Sequence, residues 1–359
     1  MNISIIDDGV SPKDFHLSGN WLIDKNLKIT KNPDNQTGNP ESHGTVCAKI
    51  MHKYIDKEAI GHIRFHSIAV LDSEMQGNVN QLIAAFELCQ KLGAKVIHMS
   101  IGISHYRDFS AIEKSVGELH QKGVVIVAAQ SNRGVATYPA CLPCVIGVKA
   151  DMALRDSQFR YFTNPLDRIS IAASSRHILR NGKDIYTTPA ANSYAAPVVT
   201  GKVISYLLEN PNMAFDGIHG ALKKDAVNVS EQAGIYDDGQ NIEIPLVLLE
   251  GFDPREVRET MRELKQKFLE NDYNCQMADF VPVDLGTLKH ICGFWMCDVL
   301  LLGKTDNAPL RYIDEMSIIV RNDAAGHENT AREVGDRVEI YLKDKDIGWL
   351  FETIMLKLT

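Results

Sequence analysis

Ile3-Ser4-Ile5-Ile6-Asp7-Asp8-Gly9 is a short apolar run that ends in two carboxylates and a glycine. A β-branched run of this length, bounded by turn residues, reads as a strand buried on both faces. The pattern recurs along the chain, with further apolar runs at 66–70, 95–99, 124–129 and 144–148. Between them, 78–92 and 109–122 place Leu82, Ala85, Phe86 and Cys89, then Ile112, Val116 and Leu119, at helical spacing, and stop near Gly93 and Gly123. This alternation, sustained to about Leu208, predicts an α/β domain with a parallel sheet and helices on its faces.

Residues 228–241 turn polar and rich in Gly and Asp, which predicts a boundary near residue 235 and two domains, 1–235 and 236–359. The second domain opens with a strand at 244–249. Asp253-Pro254-Arg255-Glu256 then starts a helix with Asp at the cap, Pro in the first turn and Glu closing a capping box. Val257, Met261, Leu264 and Phe268 form its apolar stripe, and strands are expected at 278–283, 298–302, 316–320 and 337–342. The region is therefore a smaller accessory α/β unit. Leu302-Gly303-Lys304-Thr305 ends like a phosphate-binding loop, but Asp298 stands where the motif requires glycine, and Asp306-Asn307-Ala308-Pro309 follows instead of a helix. The unit reads as noncatalytic, serving recognition.

Composition excludes several function classes. The 359 residues are 45% hydrophobic and 23% charged, as in a globular protein, and 38 Lys and Arg against 46 Asp and Glu give a net charge of −8. No basic excess is present to pair with phosphates, so nucleic acid is not an expected partner. No apolar stretch is long enough for a membrane span, and no export signal precedes the first strand. Seven scattered cysteines, an odd number, point to reduced thiols in the cytoplasm. Cys141-Leu142-Pro143-Cys144 lacks a second ligand pair and reads as structural, so no metal site is assigned. Asn35-Gln36-Thr37 fits a glycosylation sequon but reads as a polar loop in such a compartment.

Three segments carry chemistry. Asp7 closes the first strand, His43 in Ser42-His43-Gly44-Thr45-Val46 opens an apolar helical stretch, and Ser193 in Ala191-Asn192-Ser193-Tyr194-Ala195-Ala196-Pro197 does the same. A serine hydroxyl needs a base to take its proton, and an imidazole base needs a carboxylate to fix its tautomer. Taken singly, His43 and Ser193 would pass for a surface residue and a helix cap.

Together these blocks resemble the subtilisin-like serine peptidases, the subtilases. The family's D-[ST]-G, H-G-T and G-T-S-M-A-x-P motifs correspond to Asp7-Asp8-Gly9, His43-Gly44-Thr45 and the 191–197 segment. Val96-Ile97-His98-Met99-Ser100-Ile101-Gly102 resembles the family's substrate strand, usually V-I-N-M-S-L-G. Residues 123–134 resemble G-V-V-V-V-A-A-A-G-N-E-G, which places Asn132 at the oxyanion-hole amide, and the match continues through Tyr138-Pro139. The D-x-G pattern selects Asp7 as the acid and leaves Asp8 where the family has Ser or Thr. The spacings, 43 − 7 = 36 and 193 − 43 = 150 residues, suit a compact domain of this family.

The resemblance implies a subtilisin-like three-layer fold and a serine endopeptidase. Ser193 would attack the scissile carbonyl, His43 would act as base, Asp7 would orient it, and Asn132 with the Ser193 N–H would bind the oxyanion. A peptide would lie along Ser100, Ile101 and Gly102. Ile103, Ser131 and Thr137, which depart from the family pattern, would narrow the first specificity pocket toward small, uncharged side chains. No cofactor is expected; the resemblance allows calcium, but no site for it is identified. With no prodomain ahead of the first strand and an added domain behind, the chain more loosely resembles the intracellular subtilases of bacterial peptide-maturation systems, which remove leaders from precursor peptides. A general cytosolic turnover protease and a peptide-binding pseudoprotease are the alternatives.

Overall fold

A computed structural model of the chain describes all residues except 14, 33–41, 56–57, 73, 182–183, 232–243, 279–284, 305–315, 324–325, 327 and 359. The Asn35 sequon, the boundary near 235, the turn at 306–309 and all but the first residue of the strand expected at 278–283 lie outside the described residues. The chain divides into two compact units, Met1–Ala233 and Gly234–Thr359.

The first unit contains β1 (Asn2–Asp7), β2 (Leu17–Ile23), β3 (Ile29–Lys31), α1 (His43–Lys53), β4 (Arg64–Ala69), α2 (Val79–Lys91), β5 (Val96–Met99), α3 (Phe109–Gln121), β6 (Val125–Ala129) and β7 (Ile146–Ala150). It continues through β8 (Phe159–Phe162), β9 (Ile171–Ala173), β10 (Ile178–Asn181), β11 (Asp184–Thr187), α4 (Asn192–Glu209), α5 (Phe215–Asp225) and β12 (Asn228–Ser230). Among the described residues, ten of these strands form one sheet in the order β12-β8-β9-β7-β6-β5-β1-β4-β2-β3, with β10 and β11 a separate hairpin. The strands from β7 to β2 in that order pair in parallel, and β8 against β9 and β3 against β2 are antiparallel.

Alternation along the strands divides the core. Ile3, Ile5, Val96, Val125, Val127, Ile146 and Val148 pack with Ile50 and Met51 of α1, with Val198, Val199 and Val203 of α4 and with Ile218 and Leu222 of α5. On the opposite face, α2 buries Leu82, Ala85, Phe86 and Cys89, and α3 buries Ile112, Val116 and Leu119. A capping box between Asn78 and Gln81 begins α2. The strands foreseen from apolar runs are the central parallel ones. Strands β2, β3 and β8–β12 carry too few consecutive apolar residues to announce themselves, being either only three or four residues long or, like β2, mostly half-buried.

The consequence for function lies in register. Ile6 of β1 pairs with Met99 of β5, and Met99 with Ala128 of β6. Asp7, Ser100 and the 130–132 loop therefore emerge side by side at the carboxyl ends of three adjacent parallel strands, where α/β sheets place ligands.

The second unit contains β13 (Leu246–Glu250), α6 (Pro254–Glu270), β14 (Cys275–Ala278), α7 (Leu285–Trp295), β15 (Val299–Lys304), β16 (Ile318–Asn322), β17 (Thr330–Val334), β18 (Arg337–Leu342) and α8 (Ile347–Leu358). Its described strands form a sheet ordered β14-β15-β13-β16-β18-β17. Among the described residues the second strand covers 275–278, where Cys275 to Ala278 pair in register with Val299 to Leu302. The expected Val257, Met261, Leu264 and Phe268 stripe of α6 is fully buried, packed with Leu350, Phe351 and Ile354 of α8 on Val247, Leu249, Leu301 and Val320. Asp253 and Glu256 form the foreseen capping box. The amine of Lys304, in the phosphate-loop look-alike, lies 3.8 Å from Glu250. Among the described residues, no helix is long and apolar enough to cross a membrane.

Candidate active site

The first turn of α1 is fixed by short polar side chains. Ser42 caps the helix, accepting from Thr45 N–H and donating to the Gly9 carbonyl at 2.7 Å. With its one proton committed to Gly9, Ser42 accepts the hydroxyl of Thr45 at 2.6 Å. Asp8 takes the main-chain N–H groups of His43 at 3.0 Å and Gly44 at 2.8 Å. Helix α1 thus meets the end of β1 so closely that a Cβ on Gly44 would stand 2.7 Å from the Gly9 oxygen. The glycine after the histidine is a packing requirement.

This docking brings His43 Nδ1 to 2.9 Å from Asp7 Oδ1 and 3.0 Å from Oδ2. Asp7 is fully buried, whereas the His43 side chain is 20% exposed. Burial works to raise the Asp7 carboxyl, but His43 and the Asp8 N–H outweigh it and hold Asp7 below the ordinary carboxylate value. Burial likewise works against a charged His43, while the sulfur of Cys47, 3.9 Å from Nδ1, and the Asp7 carboxylate hold its pKa well above the histidine range. Asp8 differs: burial and the Asp7 charge push it up to about 6, against the two N–H groups it accepts. With Nδ1–H given to Asp7, the Nε2 of His43 is the nitrogen that can act as a base once the ring is neutral.

Ser193 lies in the first turn of α4, and its neighbour Tyr194 has its ring 5.3 Å from that of His43. The Ser193 carbonyl accepts from Ser100 Oγ at 3.0 Å and Cys47 Sγ at 3.5 Å. Among the described residues, the side-chain hydrogen bonds of His43 all run through Nδ1, so the contact between Nε2 and Ser193 Oγ is not closed; such bonds often tighten only when substrate binds.

Asn132 is brought to the same helix start, where its Oδ1 accepts the N–H of Asn192 at 2.8 Å. That bond commits the amide oxygen and turns the NH₂ into the available group. Asn192 also donates Nδ2–H to the Ser131 carbonyl at 2.9 Å and accepts from Ala150 N–H at 2.8 Å, tying α4 to β7 and to the Asn132 loop. Sequence reading passed over Asn192, although a polar amide directly before the serine was the available signal. It passed over Cys47 and the buried His98 as well.

The remaining segment residues cluster beside Asn132. Thr137 is buried, with its Oγ1 accepting from Ser131 N–H at 3.2 Å and donating to the Val135 carbonyl at 3.1 Å. A Cβ on Gly102 would stand 2.3 Å from the Thr137 methyl group, so Gly102 is required by this contact. Ile103 exchanges both main-chain hydrogen bonds with Tyr138 at 2.8 Å, which commits Ile103 and ends the open stretch at Ile101 and Gly102.

Among the described residues, the one group of three potential ligand side chains is Asp7, His43 and Cys47. Its mixed oxygen, nitrogen and sulfur donors do not fit the oxygen cage that calcium requires.

The subtilase family of peptidases matches residues 1–242. The chain belongs to the subtilase family. It is 26% identical over 258 residues to the cell wall-associated protease of Bacillus subtilis (strain 168), a match covering 68% of this chain and 28% of that protein. With the alkaline protease of Alkalihalobacillus alcalophilus it shares 22% identity over 249 residues, covering 67% of this chain and 62% of that protein. The chain thus spans less than two thirds of the length of these relatives. Among solved structures, a cold-adapted subtilisin-like serine proteinase aligns at a TM-score of 0.48 and 18% identity, over 63% of this chain and 84% of that one. A lanthipeptide protease aligns at 0.49 and 17%, over 63% and 80%. The family resemblance drawn from the sequence agrees with the family match, and the α/β expectation with the largely parallel sheet and its helices.

Proposed function

We propose that the first unit of this subtilase is a serine endopeptidase using Asp7, His43 and Ser193 as its triad. The observation that carries this reading is the two-oxygen grip of buried Asp7 on His43 Nδ1, at 2.9 and 3.0 Å, beside the helix start that bears Ser193. Ser193 Oγ adds to the scissile carbonyl while His43 Nε2 takes its proton, and the tetrahedral oxyanion accepts from Asn132 Nδ2 and the Ser193 N–H. On collapse His43 returns the proton to the leaving amine, and water repeats the sequence on the acyl-enzyme.

A peptide laid along Ser100 to Gly102 gains main-chain hydrogen bonds that do not read sequence. Selectivity then falls to the Ser131, Thr137 and Ile103 neighbourhood, where uncharged side chains favour a small, uncharged residue before the cut. The narrower reading is limited proteolysis of a precursor peptide, with the second unit, which has a core of its own, recognising substrate remote from the cut. Seven free thiols support a reducing compartment such as the cytoplasm.

The deciding experiment is Ser193→Ala with a peptide library as substrate, fold checked by circular dichroism. Cleavage and labelling by a serine-directed fluorophosphonate are both expected to vanish. A variant that cleaves at the wild-type rate overturns the assignment. Placing a cleaved precursor in competition with unrelated unfolded protein separates limited proteolysis from general turnover.

A further inference from the structure

The main chain of Ser193 has a hydrogen-bonding deficit, and it is met through a residue outside the triad. In a helix the Ser193 carbonyl would accept from the N–H four residues on, but that residue is Pro197, which has none. Ser100 Oγ and Cys47 Sγ reach the carbonyl instead. Ser100 Oγ stands 3.1 Å from Nε2 of His98, and His98 Nδ1 stands 2.8 Å from Oγ1 of Thr200, back on α4. His98 is fully buried in β5, so each of its nitrogens depends on these partners.

Proton counting gives the relay a direction. Burial pushes His98 down to about 4, with Asp7 opposing and His43 adding, so at neutral pH the ring carries a single N–H. If that proton sat on Nδ1, Thr200 would give its hydroxyl proton to the Ala196 carbonyl, 3.0 Å away, which the helix already supplies with an N–H. Ser100 would then donate to Nε2, and the Ser193 carbonyl would be left to a weak thiol donor at 3.5 Å. With the proton on Nε2, Thr200 donates to His98 Nδ1, His98 donates to Ser100 Oγ, and Ser100 donates to the Ser193 carbonyl. Every group is then satisfied by a nitrogen or oxygen donor.

We propose that His98 is a positioning residue for peptide hydrolysis, acting through Ser100 to hold the main chain of Ser193. The proposal rests on the reading of Ser193 as nucleophile. It also accounts for the residue type: the usual subtilase pattern has asparagine here, and an amide presents the same donor toward Ser100 and acceptor toward Thr200 as the Nε2–H imidazole.

The test measures kcat and KM on a peptide cleaved by the wild-type chain, together with the rate of Ser193 labelling by a fluorophosphonate. His98→Leu is expected to slow both kcat and labelling about tenfold, as loss of one hydrogen bond's worth of positioning would, with KM changed less than about twofold. His98→Asn should recover most of that loss. The double variant His98→Leu/Ser100→Ala should be no slower than Ser100→Ala alone, because the first side chain acts only through the second. If His98→Leu does not fold, Thr200→Val replaces it in the same cycle. Additive losses, a folded His98→Leu with wild-type kcat, or His98→Asn as slow as His98→Leu would each overturn the proposal. Failure of the nucleophile reading is seen separately, as labelling that survives Ser193→Ala.

Discussion

Asp8 Oδ2 accepts the main-chain N–H of His43 at 3.0 Å, so the residue beside the candidate acid anchors the backbone of the candidate base. Its carboxyl sits at about 6, pushed there by burial and by Asp7, and is largely ionised at neutral pH. General-base catalysis needs neutral His43, whose pKa is held above the ordinary ~6.5, so the acid limb of kcat/KM should lie above that value. Asp8→Asn removes one negative charge that favours the imidazolium, and the limb is expected to move to lower pH, as a pH–rate profile would read. The same variant should flatten a stability slope. Because the folded pKa of Asp8 exceeds the unfolded ~3.9, its contribution is full below that pH and is lost as pH rises through about 6. Denaturant melts across that window check the sign.

Asp7→Asn should leave the fold intact and lower kcat by about 10⁴-fold, because an amide NH₂ facing Nδ1 favours the wrong imidazole tautomer. Pre-steady-state acylation kinetics would read the loss directly. A loss of only a few-fold would mean that Asp7 does not orient His43.

Asn132→Ala is expected to lower kcat by about 10²–10³-fold with little change in KM, since the amide would serve the oxyanion more than the ground-state carbonyl. Asn192→Ala should act in the same direction but more weakly, because the Asn192 side chain braces the Ser131 carbonyl and β7 without reaching the oxyanion. Equal effects of the two variants on KM alone would contradict this division.

Gly44→Ala should destabilise the first unit by about 1–3 kcal/mol, the usual cost of forcing atoms into a packed site, because its new Cβ meets the Gly9 oxygen at 2.7 Å. Thermal melts and activity should fall together, as α1 moves away from β1 and carries His43 with it. An unchanged melting temperature would show that the helix can shift freely.

The central parallel strands were legible because burial on both faces leaves them mainly apolar, most fully in Val125–Ala129. The hairpin of β10 and β11, with Ile178 and Ile185 exposed, obeys no such rule and escaped notice. Asp7, His43, Asn132 and Ser193 stood out because each adjoins a short motif whose neighbours are close in sequence. Asp8 looked like a substitute for Ser or Thr, and only the structure showed its carboxylate accepting two helix N–H groups.

The sequence by itself determined the family and the order of the candidate catalytic residues, since motifs such as Asp7-Asp8-Gly9, His43-Gly44-Thr45 and Ser193 to Pro197 are written in contiguous residues. It also determined that the Ser193 carbonyl would lack a helical donor, because Pro197 follows four residues later. What meets that deficit only the tertiary structure decided. Ser100 lies 93 residues from Ser193, and His98 lies 102 from Thr200. Their pairing depends on where β5 ends in the sheet and how α4 packs across it. Such contacts follow from register and packing over long chain separations, and no local pattern of residue types encodes them.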